Sequence, residues 1–126
     1  MQDKDGFGSG NREFNFPGDD MDNFRAAQEA GWKVIGGEQL TVSTSAVRLF
    51  PNPPANTRMC VFTVRTTPIT VSALSGTNPT AGAVGNDYAA GGPYALPLND
   101  SEAAGVKAIR NGAQDAAIYA EYWSLP

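Results

Sequence analysis

From residue 37 onward the chain is written in short apolar–polar alternations; before residue 37 it is not. In "EQLTVST" (38–44), Leu40 and Val42 fall on one side of an extended chain, with Gln39, Thr41 and Ser43 on the other. That period of two predicts a half-buried strand. "AVRLF" (46–50) follows a polar break, and "NPPANT" (52–57) is a turn, because adjacent prolines suit neither helix nor ladder. "RMCVFTVR" (58–65) is apolar on both faces, Met59 and Val61 against Cys60, Phe62 and Val64. It predicts a central strand, or one whose second face another chain covers. "PITVSAL" (68–74) points Ile69, Val71 and Ala73 inward. Only Thr66 and Thr67 precede its proline, so a tight hairpin or a corner joins it to the strand before. "YALPL" (94–98), "GVKAIRN" (105–111) and "AAIYAEYWSL" (116–125) bring the count to about seven strands. "RNGAQD" between the last two predicts a hairpin centred on Asn-Gly.

One stretch resists this reading. In "LSGTNPTAGAVGNDYAAGGPYALPL" (74–98), 13 of 25 residues are Gly, Ala or Pro, and Asp87 is the one charge. Both flanks are strand-like, so it reads as a long crossover loop. Gly76, Gly82, Gly85, Gly91 and Gly92 permit bends, while Pro79, Pro93 and Pro97 stiffen it. With no long helical period anywhere, the pattern predicts an all-β fold, a small β-sandwich or jelly roll.

Residues 1–36 differ. They hold four of the six phenylalanines, Phe7, Phe14, Phe16 and Phe24, together with Trp32 and many Gly, Asp and Asn. Only "DNFRAAQEAG" (22–31) reads as a helix, which Asp22 can cap and Gly31 can end. Such a helix is marginal alone and gains order by lying on a surface, its own or a partner's. The chain therefore divides into an extended N-terminal arm with one short helix (1–36) and a β module (37–126).

The bulk numbers narrow the function. A length of 126 residues suggests one domain. The net charge is −4, from seven acids and four bases in residues 1–37 and six acids and five bases in residues 38–126. No basic patch stands out, which argues against nucleic acid. No apolar run is long enough for a membrane span, and "MQDKDGFGSG" has no signal-peptide core. A single cysteine, Cys60, has no intrachain disulfide partner and suits a reducing cytoplasm. Large apolar side chains are sparse in the β module, so association would add needed burial. The chain has no histidine, which removes the commonest general base and metal ligand. We expect no enzyme and no cofactor.

Several local clusters carry residue types that bear on chemistry. Asp19, Asp20 and Asp22 suggest a calcium loop, but the glycine and the bidentate glutamate of an EF-hand are missing, and an acidic helix start explains them as well. Glu121, between Tyr119 and Trp123, suggests a glycosidase acid, but nothing marks a second carboxylate, with Glu102 and Asp115 nearest in sequence. Tyr119 and Trp123 share one strand face and Ile118 and Tyr122 the other, so one set belongs to a core and the other to a surface or interface. "GTNPTAGAVG" lacks the lysine and spacing of a phosphate loop. Asn99 opens an Asn-Asp-Ser glycosylation acceptor, which has meaning only on a secretory route.

Over residues 68–122 the segments "PITVSALSGTNPT", "AVG", "AAGGPYAL" and "VKAIRNGAQDAAIYAEY" together resemble small virion structural proteins of tailed bacteriophages. The resemblance covers under half the chain. It implies a β-sandwich or jelly-roll module that decorates or cements the phage head, with no enzymatic activity. The partners it implies are the major capsid protein and the chain itself, as a homotrimer assembled in the host cytoplasm. On this reading Phe7, Phe14, Phe16, Phe24, Trp32, Pro79, Tyr88, Tyr94, Tyr119 and Trp123 are the expected partner-facing residues. Rival readings stay open: a neck or tail-completion ring, a carbohydrate-binding module stacking sugars on Tyr88, Tyr94 and Trp123, and a carboxylate enzyme built on Glu121.

Overall fold

A computed structural model describes residues 20–74 and 76–126, with side chains given from Arg25 onward. Phe7, Phe14, Phe16 and Asp19 lie outside the described residues, as do the side chains of Phe24, Asp20 and Asp22. The elements in chain order are α1 (Asp20–Glu29), β1 (Lys33–Val42), β2 (Val47–Arg48), β3 (Met59–Arg65), β4 (Ile69–Ser72), β5 (Asn86–Tyr88), β6 (Gly91–Leu96), α2 (Asp100–Ala103), β7 (Lys107–Arg110) and β8 (Ala116–Ser124). Among the described residues the regular structure is mostly strand, in two four-stranded antiparallel sheets. One runs β1-β8-β3-β6 and the other β2-β7-β4-β5.

The pairings are nested: β1 with β8, β2 with β7, β3 with β6, and β4 with β5. Two further pairings, β3 with β8 and β4 with β7, join these into sheets. Alternation then fixes one shared core. Val42, Phe62, Val64, Ile118, Ala120 and Tyr122 from the first sheet meet Ile69, Val71, Tyr88 and Ala108 from the second, with Leu49, Phe50 and Val106 from connecting segments. Phe62 is its aromatic hub, with ring centroids 5.0 Å from Tyr88, 5.3 Å from Tyr94 and 6.0 Å from Phe50.

The second face of β3 is covered by the chain's own helix. Met59 and Val61 are buried with Ala27 of α1, Ala95 of β6 and Trp123 of β8, and Trp32 packs against the same group. No second chain is needed to explain its apolar outer face. α1 ends where Gly31 takes φ +82, with Gly31 N donating to Gln28 O and Trp32 N to Ala27 O. That Schellman ending turns Trp32 back onto the helix–sheet contact and leads into β1.

Four expectations need correction. "RNGAQD" is no hairpin, because β7 and β8 belong to different sheets. β7 is already flanked by β2 and β4, and β8 by β1 and β3, so the Asn-Gly turn carries the chain from one sheet to the other. There Asn111 N donates to Pro68 O and Arg110 N to Ser43 O. The stretch 74–98 is not a crossover loop either, since it contains all of β5, an edge strand of the second sheet, and all of β6, an edge strand of the first. Its glycines let it lie close: a Cβ on Gly85, at φ +121, would sit 2.6 Å from Val71 O. Third, Ala73 is exposed, because β4 stops at Ser72. Fourth, Tyr88 is a core ring and not a surface one. Between hairpin and corner, Thr66 and Thr67 form a corner, with Thr66 at φ +82 and β4 entering the second sheet.

Both tryptophans of the chain lie in the α1 contact, so their emission reports helix docking. Ala27→Asp places a charge in that contact, where burial without a partner is costly. The expected result is a red-shifted tryptophan emission with the far-ultraviolet β signal retained.

Candidate functional site

The outer face of the first sheet is half covered by α1 and half open. On the open half three rows of side chains are set by register. Gln39, Tyr119 and Thr63 form one row across β1, β8 and β3. Thr41, Ala117 and Arg65 form the next, and Gly37 and Glu121 lead in the third to Val61, which is buried at the border of the α1 contact. Two shallow hollows share Tyr119. One is lined by Gln39, Leu40, Thr41, Arg65, Ala117 and Ile118, the other by Val61, Thr63, Pro93 and Glu121.

Tyr119 does not stand off the sheet. A Cβ on Gly37 would lie 3.0 Å from its hydroxyl oxygen and 3.6 Å from Cζ, so the phenol reaches across the neighbouring strand over the glycine. Glu121 is held in place, accepting a 3.2 Å hydrogen bond from Trp123 Nε1. Its negative charge, and then its hydrogen bond to the phenol, raise the Tyr119 pKa. Glu121 is the one carboxylate among the residues lining the two hollows. Asp115 is engaged elsewhere, accepting from Ser43 Oγ at 2.7 Å and Arg110 Nη1 at 2.7 Å. Those bonds hold its carboxyl below the usual range, Ser43 contributing most. Glu102 closes a capping box with Asn99 at the start of α2, which is where the Asn-Asp-Ser acceptor sits. Neither Asp115 nor Glu102 is therefore free to pair with Glu121 as a glycosidase requires. Among the described residues no group of three or more His, Cys, Asp or Glu could hold a metal, and no helix is long and apolar enough to cross a membrane.

The remaining expected site residues separate. Trp123 is 5% exposed and lies beneath α1; Tyr88 is 7% exposed in the main core; Pro79 is buried. None of these offers a ring or face for stacking. Trp32 and Tyr94 are half-buried, and Tyr94 donates to Ala89 O at 2.9 Å. Of the described members of the set, Tyr119 lines both of these hollows. Gln39, Thr41, Thr63 and Arg65 were not singled out from sequence. Alternation within each strand gives their face, but only the register between strands brings them around Tyr119.

On the inner face, Glu38 joins the mouth of the core. It accepts hydrogen bonds from the Tyr122 hydroxyl, from Asn52 N at 2.9 Å and from Asn52 Nδ2 at 2.9 Å. Burial pushes its pKa up, but the Tyr122 and Asn52 bonds outweigh it and the net direction is down. Burial and the same contact raise the Tyr122 pKa. Cys60 is inert by comparison, its thiol pushed up to about 12 by burial and then by the charge of Glu102.

No family model matches the chain, and no curated protein or solved structure matches it.

Because the folded-state pKa of Glu38 lies below its unfolded value, its contribution is full above the ordinary carboxylate range. It is lost as pH falls through the folded value. Glu38→Gln removes charge-assisted bonds worth about 1.5–3 kcal/mol. Urea titrations should show that loss at pH 7 and a much smaller gap between variant and parent at pH 3.

Proposed function

We propose that the chain is a non-enzymatic virion structural protein, a decoration or cement subunit that binds the major capsid protein and bridges its copies on a phage head. On this reading the two sheets form a jelly roll. The observation that carries it is the nested pairing of β1 with β8, β2 with β7, β3 with β6 and β4 with β5. A long hairpin rolled in this way is the architecture used by viral capsid and lectin domains. Fold alone does not give function, so three local features matter.

The first is an apolar corner. Val34 and Ile35 of β1 are 52% and 37% exposed, and Leu125, just past β8, is 54% exposed. Lys33 pairs with Ser124, so these residues gather at one end of the sheet edge, as a contact with a neighbouring subunit requires. Second, β1 is a ten-residue edge strand with no proline, long enough for a sister copy in a trimer to abut. Third, the sequence before α1 adds Phe7, Phe14 and Phe16 on a Gly- and Asn-rich backbone, suited to lacing one subunit to the next. Many weak contacts on a lattice give avidity without any tight single site.

Intact virions provide the test, by quantifying this chain against the major capsid protein. A comparable copy number supports decoration; one ring's worth of copies moves the assignment to the neck or tail. Absence from the particle overturns the proposal. Deleting residues 2–19 keeps α1 on its sheet, and the expected result is a folded protein that no longer remains on capsids.

A further inference from the structure

We infer that the open half of the first sheet's outer face, centred on Tyr119, is a binding site for an oligosaccharide. This site is independent of the virion proposal and stands or falls separately from it. β8 pairs with β1 on one side and β3 on the other, so its backbone donors and acceptors are already used. A peptide could not add to β8 as a strand; the free edge beside it is that of β1, so a ligand lying over Tyr119 meets side chains.

Those side chains match sugar chemistry. A tyrosine ring carries a negative face, which attracts the slightly positive C–H bonds on the flat side of a pyranose. Tyr119 reaches across Gly37 and bridges the two hollows, the placement of a platform and not of a core filler. Sugar hydroxyls both donate and accept, and the rim supplies both kinds of partner. Gln39 offers an amide, Thr41 and Thr63 offer hydroxyls, Arg65 offers a guanidinium fork, and Glu121 accepts. Glu121 is already oriented by Trp123 Nε1, so little ordering is lost when it takes a ligand hydroxyl. Ala117, small and central, keeps the floor low beside the ring. From Ala117 to Glu121 the strand rises about 13 Å, which suits a chain of sugars better than a single ring.

Charge favours the same ligand. One arginine and one glutamate flank the ring, so the site balances and does not select a strongly anionic partner. Gly37 ties the site to the sequence. Its φ is not positive, so its backbone does not demand glycine; the phenol of Tyr119 occupies the space a side chain would take.

The test uses the full chain on a printed array of neutral, sulfated and sialylated oligosaccharides, followed by titration of the best binder. The expected result is retention of at least one neutral oligosaccharide. Tyr119→Ala and Glu121→Gln should each weaken it tenfold or more, and Gly37→Ala, whose Cβ would crowd the phenol and the Ala120 carbonyl, should weaken it too. Should Tyr119→Ala not fold, Gln39→Ala at an exposed position replaces it, with weaker binding again expected. A folded parent that retains no oligosaccharide overturns the inference. So does binding that Tyr119→Ala or Gln39→Ala leaves unchanged, or retention of peptides alone on a parallel peptide array.

Discussion

Strand β8 lies between β1 and β3, and its two faces feed two different apolar clusters. Ala116, Ile118, Ala120 and Tyr122 enter the core shared by both sheets. Trp123 enters the smaller cluster under α1, and Tyr119 and Glu121 remain on the open part of that outer face. Because adjacent side chains must alternate, a single register decides all three outcomes at once. A slip by one residue would turn Tyr122 outward and Glu121 into the core, where its charge would lack a partner. The fold, the seat of α1 and the hollow around Tyr119 are thus consequences of one pairing.

The second sheet depends on closer backbone contact. β4 is buried along its whole length. Its Thr70 donates to Asp87 Oδ1 at 2.7 Å and accepts from Gly82 N at 3.1 Å, so the glycine-rich stretch covers polar atoms that would otherwise lack partners. A larger residue at position 85 would meet the Val71 carbonyl. The stretch is therefore a structural cover with a strand inside it, shaped by the need to come close.

Much of this was legible in the sequence, and the losses have physical causes. β1, β3, β4, β7 and β8 follow from apolar residues spaced by two, such as Leu40 and Val42 in β1 and Ile118, Ala120 and Tyr122 in β8. β5 was missed because Asn86, Asp87 and Tyr88 bury only the tyrosine, and glycines surround them. The hairpin at Asn-Gly failed because turn chemistry says how a chain reverses, not which sheet it enters next. α1 was foreseen, but its resting place was not. Its narrow apolar face gave no address, and Met59 and Val61 gave a vacancy that any partner fitted. The Tyr119 hollow was half visible, since Tyr119, Glu121 and Trp123 share a face in one strand, while Gln39, Thr63 and Arg65 come from strands whose alignment no local pattern states.

The nested order also has a temporal side. β8 is the last of the eight strands among the described residues, yet it occupies an interior position in its sheet. While it is being synthesised, β1 and β3 have no neighbour to bond between them, and Lys33 waits for Ser124 across nearly the whole described chain. Contacts that distant form slowly, and open strand edges invite pairing with other chains. A protein built this way commits to its sheet late and all at once, so its open strand edges face other nascent chains before β8 closes them.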